Sequence, residues 1–122
     1  EELYLLACII DWEANSESYE GKLAVANVVL NRVRSSAYPN SISGVIYQRS
    51  QFSGVSDGAG SPSAKFQSRI NSGLRSQACM DAAVEALSGH NNIGGYTSFR
   101  MISAANISSM SSYVIIGNHV FH

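Results

Sequence analysis

Eight consecutive residues, Leu23-Ala24-Val25-Ala26-Asn27-Val28-Val29-Leu30, contain a single amide and otherwise only apolar side chains. Wound at 3.6 residues per turn, the run is apolar on nearly every side, and such a helix must be enclosed by other elements. It is too short to cross a bilayer, which takes about 20 apolar residues. The pattern therefore predicts a central helix from about Tyr19 to Arg34. A chain of 122 residues has room for one such core and not for two, so residues 1–122 read as a single domain.

Other segments arrange themselves around that helix. Leu3, Leu6, Ile9, Ile10 and Glu13 recur at three-and-four spacing and predict a first helix. Asn15-Ser16-Glu17-Ser18 breaks it with cap and turn residues. Tyr38-Pro39-Asn40 is a loop, a short helix follows around Ile42 to Tyr47, and Ser50 to Gly60 reads as an ordered surface loop. Ser61-Pro62 looks like the cap and first turn of a helix ending near Gly73, and Ser76 to Ser88 forms another. Beyond Gly89 the texture changes. Gly94 to Phe99 suits a strand, and Gly117-Asn118 between Tyr113–Ile116 and His119–Phe121 is a hairpin signal. The expected fold is α+β: a helical lobe followed by a small antiparallel sheet.

Composition excludes several functions. A hydrophobic fraction of 45% with only 14% charge argues against disorder. A net charge of −1 argues against nucleic acid, which needs a basic face. The 21 serines suit a neutral polar ligand such as a carbohydrate. No membrane span is visible. The chain begins at Glu1-Glu2-Leu3 already in a helical pattern, as a trimmed domain or mature form would. Cys8 and Cys79 could form one bridge in an oxidising compartment, or lie as two small buried thiols. His90, His119 and His122 show no ligand spacing, and no metal or cofactor is expected.

The acids carry more information. Glu1 and Glu2 sit at a frayed start, and Asp81 and Glu85 share a solvated helix face. Asp57-Gly58 is turn chemistry. The remaining four, Asp11, Glu13, Glu17 and Glu20, fall within ten residues. At 100° per residue Glu13 projects into the stripe of Leu6, Ile9 and Ile10, while Asp11 points the other way, towards water. Desolvation raises a carboxyl pKa, and an acid that holds its proton near neutral pH can act as a general acid. Equally, Glu13 could be a solvated residue at a helix end. Glu17 or Glu20 could orient it or bind a sugar hydroxyl, and Glu20 could simply favour a helix N-terminus. Asn27 and Asn31 need partners in the buried helix. Tyr38, Tyr47, Phe52, Tyr96 and Phe99 could form sugar-stacking walls or belong to the core.

Read together, these residues carry a resemblance. Trp12-Glu13-Ala14-Asn15-Ser16-Glu17-Ser18-Tyr19-Glu20-Gly21-Lys22 through Asn31-Arg32-Val33 resembles the opening motif of the SleB/CwlJ-type cell wall hydrolases, the spore cortex-lytic enzymes. Tyr38-Pro39-Asn40-Ser41-Ile42, Gly44-Val45-Ile46-Tyr47, Gln51-Phe52-Ser53, Val55-Ser56-Asp57-Gly58, Ala82 to Gly89 and Ile116 to Phe121 follow in family order. Asn15 and Ser16 replace the usual Arg-Gly and Ser18 the usual Pro; Phe99-Arg100-Met101 replaces a Phe-Asn-Pro segment. The stretch from Gly60 to Ser76 is longer than the family pattern.

The resemblance implies a lysozyme- or lytic-transglycosylase-like cleft and cleavage of the muramic acid–glucosamine backbone of peptidoglycan. Glu13 matches the family's catalytic glutamate. Substrate contacts are expected from Glu17, Glu20, Asn31, Gln51, Phe52, Ser53 and Tyr96. The expected setting is extracytoplasmic, in wall or spore cortex, with a monomer acting on glycan strands. A hydrolytic muramidase that uses Glu17 or Glu20 as second acid, and an idle peptidoglycan-binding module, are the alternatives.

Overall fold

Helix α2 (Tyr19–Arg34) runs through the middle of the molecule, and every residue from Gly21 to Arg32 is buried. The computed structural model describes residues 2–122; Glu1 and its expected fraying lie outside them. Helices α1 (Glu2–Ala14) and α5 (Gln77–Leu87) pack against α2 and against each other. Leu6, Ile9, Ile10, Leu23, Val25, Val28 and Val29 are fully enclosed at this three-way junction. Each such side chain stabilises the fold by about 1.5–3 kcal/mol.

Serine does much of the local punctuation. Ser18 Oγ accepts from Gly21 N at 3.2 Å at the start of α2. Ser41 Oγ accepts from Gly44 N at 3.0 Å and opens the short helix α3 (Ile42–Ile46). Ser63 Oγ accepts from Phe66 N at 3.1 Å and opens α4 (Ala64–Ser72). A side-chain cap of this kind contributes about 1 kcal/mol. The cap of α4 is thus Ser63, two residues after the expected Ser61. Pro62 instead bridges Ser56, and Ser61 O accepts from Asp57 N at 2.9 Å, so the 50s loop closes on itself before the helix begins.

The sheet is small. Strands β1 (Phe99–Met101), β2 (Val114–Ile116) and β3 (His119–Phe121) are antiparallel in the order β1-β3-β2. Phe99 and Val114 flank Phe121, and Gly117-Asn118 makes the hairpin turn, with Gly117 at φ +58°. Two short 3-10 turns, Ile102–Ala104 and Ile107–Ser109, link β1 to β2. The architecture is α+β as expected. The strand expected over Gly94–Phe99 is reduced to its last residue. Side chains of α2 take the upstream carbonyls: Asn31 Nδ2 donates to Gly94 O and Tyr96 O, and Arg32 Nε to Thr97 O. A carbonyl held in this way does not need a ladder partner.

Two readings of the acids are corrected. Asp11 does not face water; it is fully buried. Arg75 Nε donates to both of its carboxylate oxygens, at 3.1 and 3.3 Å, and Arg69 Nε lies 3.4 Å from Oδ2. The face of α1 opposite Glu13 meets α5 and the chain before it, not solvent. Glu85 is also more than a solvated residue: it accepts from Tyr19 Oη at 2.5 Å and pairs with His90. Cys8 and Cys79 are free, buried thiols, both pushed up by burial.

Candidate active site

Helix α1 ends without a basic residue in its last turn. The carbonyls of the turn just beyond it are met from α2: Lys22 Nζ donates to Asn15 O at 2.9 Å and Glu17 O at 2.6 Å. Lys22 is itself buried at 5% exposure, so this ammonium fixes the turn between the helices. Glu13 lies in the final turn of α1, partly buried. Burial pushes its carboxyl from 4.5 up to about 7. Among the described residues no hydrogen bond or ion pair is made to that carboxylate. Near neutral pH it is populated both as acid and as base, and nothing in the fold competes for its proton.

Glu17 is a different kind of carboxylate. Its side chain is only 5% exposed and accepts from Asn118 N and Asn118 Nδ2, each at 3.1 Å. Burial alone would raise its pKa; the two Asn118 donors, with His119 and Lys22 beside them, outweigh it and hold the carboxyl below its usual range. His119 Nδ1 lies 4.0 Å from Glu17 Oε1 and has no hydrogen-bond partner. Burial depresses the pKa of this imidazole, against the pull of Glu17.

A circuit of contacts surrounds the end of α1. Trp12 Nε1 donates to Ser53 O at 3.1 Å. The neighbouring Phe52 ring lies 6.4 Å from Phe99, Phe99 stands edge-on to His119 at 5.2 Å, and His119 leads back to Glu17. The contacts leave α1 one residue before Glu13 and come back to the chain four residues after it, in the turn beyond the helix. Gln51, Phe52 and Ser53 line a groove of about 500 Å³ together with Arg49, Gly54 and Asp57. Glu13 does not line that groove; it is joined to it through Trp12. Ser50 holds φ +64°, an uncommon backbone for a residue with a side chain, at the groove's edge.

The sequence-predicted residues thus divide. Gln51, Phe52 and Ser53 line one groove, Trp12 beside Glu13 reaches that groove at Ser53 O, and Glu17 is held apart on Asn118. Glu20 is exposed and paired with Asn92, whose Nδ2 donates to its backbone carbonyl at 3.0 Å. The Asn31 amide is engaged inside the fold on Gly94, Tyr96 and Arg34. Tyr96 Oη meets Ser112 Oγ. Phe52 is nearly buried, under Arg32 at 5.3 Å, and so is a floor rather than an open wall. Residues that sequence reasoning missed are Lys22, Arg32, Asn118 and His119. For Lys22 and Arg32 the signal was present, since each interrupts or ends an otherwise apolar run. Among the described residues no group of three or more His, Cys, Asp or Glu could hold a metal, and no helix is long and apolar enough to cross a membrane.

Residues 16–122 match the family described as Cell Wall Hydrolase. A spore cortex-lytic enzyme of Halalkalibacterium halodurans is 32% identical over 123 residues, covering 98% of this chain and 34% of the relative. The chain spans between 19% and 34% of the length of the curated relatives it matches. Among solved structures, the catalytic domain of the Bacillus cereus SleB protein is similar with a TM-score of 0.80 and 28% identity, over 98% of this chain and 88% of that one. The catalytic domain of the germination-specific lytic transglycosylase SleB from Bacillus anthracis gives 0.78 and 27%, over 98% and 92%.

Proposed function

The chain belongs to the cell wall hydrolase family, and on that premise we propose that it cuts the muramic acid–glucosamine backbone of peptidoglycan as a lytic transglycosylase. The observation that carries the mechanism is the Glu13 carboxyl, raised to about 7 by burial and free of any partner within the fold. Glu13 gives its proton to the glycosidic oxygen, the C1–O bond breaks, and the glucosamine leaves with a new hydroxyl. The muramic acid ring passes through an oxocarbenium-like state. Glu13, now ionised, takes the proton of that sugar's own C6 hydroxyl, and O6 closes on C1 to leave a 1,6-anhydro end. No water is consumed, and Glu13 ends protonated.

This chemistry needs one carboxyl that can both give and take a proton. Ordinary glycosidases need a second, about 5–9.5 Å away. Glu17, the nearest candidate in sequence, already spends both oxygens on Asn118, which supports the single-acid reading. Gln51 and Ser53 would contact the glycan along their groove, with Phe52 beneath. Asn31 and Tyr96 act at one remove by holding the segment between α5 and β1. Such a substrate places the reaction outside the cytoplasm, in spore cortex or wall.

Glu13→Gln tests the assignment. It should abolish product release while circular dichroism and unfolding remain those of a folded domain; turnover at the wild-type rate would overturn it. Mass spectrometry of the digest separates the enzymes, since anhydro ends report transglycosylation and reducing ends hydrolysis.

A further inference from the structure

Arg32, near the end of α2, is only 6% exposed, and among the described residues no carboxylate pairs with it. Oxygens and ring faces hold it instead. Nε donates to Thr97 O at 2.7 Å and Nη1 to Gln51 Oε1 at 3.2 Å, while Cζ lies 4.9 Å from the Tyr38 ring centre and 5.3 Å from that of Phe52. A cation buried without a counter-ion is costly. What this one holds is the loop that forms the groove of Gln51, Phe52 and Ser53.

The bond to Gln51 has a direction. A glutamine amide presents either its carbonyl oxygen or its NH2 group to a neighbour. A guanidinium carries five donors and no acceptor, so it admits only the oxygen. Oε1 of Gln51 is therefore turned onto Arg32, and Nε2 is left with two N–H groups for which the described residues supply no acceptor. Gln51 is exposed and lines the groove. The loop is tied on both sides of it, since Gln51 N donates to Gln48 O at 3.4 Å and Val55 N to Phe52 O at 3.2 Å.

The charges nearby favour the same kind of ligand group. Arg49 lines the groove and Arg32 stands behind Gln51. Asp57, the acid in the lining, is turned onto its own loop, where it accepts from Ala59 N and Ser61 N at 2.7 and 3.1 Å. A carbonyl oxygen on the ligand meets donors here. A ligand ammonium, which can only donate, meets the same donors and two cations.

Resting on the proposed cleavage of peptidoglycan, in which this groove carries the glycan, we infer that Arg32 is a positioning residue that fixes Gln51 as hydrogen-bond donor to the N-acyl carbonyl of an amino sugar. The groove thereby selects N-acylated glycan over glycan whose sugars carry free amines. The sugar so held lies along the strand and need not be the one that is cut.

The test compares soluble glycan strands before and after chemical de-N-acetylation, with re-acetylated strands as control, in mildly acidic buffer where the amines are protonated. Wild type should lose about ten-fold or more in kcat/KM on the free-amine strands and regain it on re-acetylation. Gln51→Glu keeps a partner for Arg32 but offers the groove an oxygen in place of the NH2 group, so its ratio between the two substrates should fall to within about two-fold. Arg32→Lys frees the amide to turn, and the ratio should drop by about three-fold. A merely structural loss lowers both substrates together and leaves the ratio where it was. A wild type indifferent to acylation, or an unchanged ratio in either folded variant, overturns the assignment; exposed Gln51 decides it if Arg32→Lys fails to fold. Binding of N-acetylglucosamine and glucosamine oligomers to Glu13→Gln protein reads the groove without turnover. Acyl-dependent binding without bond cleavage by wild type would count against the proposed reaction and leave the groove standing, whereas cleavage indifferent to acylation would do the reverse.

Discussion

Asn118 donates both its backbone N–H and its side-chain amide to the Glu17 carboxylate, which joins the turn after α1 to the β2–β3 hairpin across 101 residues of sequence. The fit is close. A Cβ on Gly117 would stand 2.5 Å from Glu17 Oε1, and Gly117 holds φ +58°. Gly117→Ala should therefore destabilise the domain by about 2–3 kcal/mol, from backbone strain and the clash together. Urea unfolding measures it. In a Glu17→Ala background the same change should cost less, because the clashing atom is gone.

The pKa of Glu17 is lowered on folding, so its contribution to stability is present above the unfolded value and fades as pH falls through the folded one. Glu17→Gln should lose about 2 kcal/mol at pH 7, where a charged acceptor is exchanged for an amide that turns a second donor towards Asn118. The difference from wild type should shrink as pH falls through the lowered Glu17 value and the carboxylate takes up its proton. Denaturant midpoints at pH 7 and across the acid range check the sign.

Asp11 sits buried between Arg69 and Arg75, and Arg75 Nη2 also donates to the Asp11 carbonyl at 2.6 Å. Removing one member leaves the others uncompensated. Asp11→Ala should destabilise the domain by about 3–5 kcal/mol, more than Arg75→Ala, whose guanidinium is half exposed and leaves Arg69 in place. Thermal melting of the two variants ranks them.

Asp11 also marks where sequence reasoning stops. A helical wheel places it opposite Glu13, but one helix cannot say whether its far side meets water or another helix. Ala7 and Cys8, four and three residues earlier on that side, were the available hint, and both are buried. The arginine partners lie 58 and 64 residues away, beyond any local pattern. The central helix and the hairpin were legible because their signals are local: an apolar run, and a Gly-Asn pair between β-rich segments. The strand expected from Gly94 was lost to long-range donors from α2. At the candidate site, the place of Glu13 at the end of an apolar stripe is a local pattern, whereas the bond that occupies Glu17 depends on a turn 101 residues distant.

The raised Glu13 carboxyl has consequences for rate and for stability. If the protonated form starts the reaction, kcat/KM should be steady below about pH 7 and fall about ten-fold per pH unit well above it. The folded pKa is above the unfolded one, so the native state binds the proton more tightly. The ionised form is the disfavoured one, and its cost is absent below pH 4.5, grows as pH rises, and is complete above about 7. Glu13→Gln removes that cost. The inactive variant should match wild type in stability at pH 4 and exceed it at pH 8 by on the order of 2 kcal/mol. Guanidinium unfolding at both pH values decides it: a variant less stable than wild type at pH 8 would mean that the ionised carboxylate is welcome in the fold, and the acid would lose its physical basis.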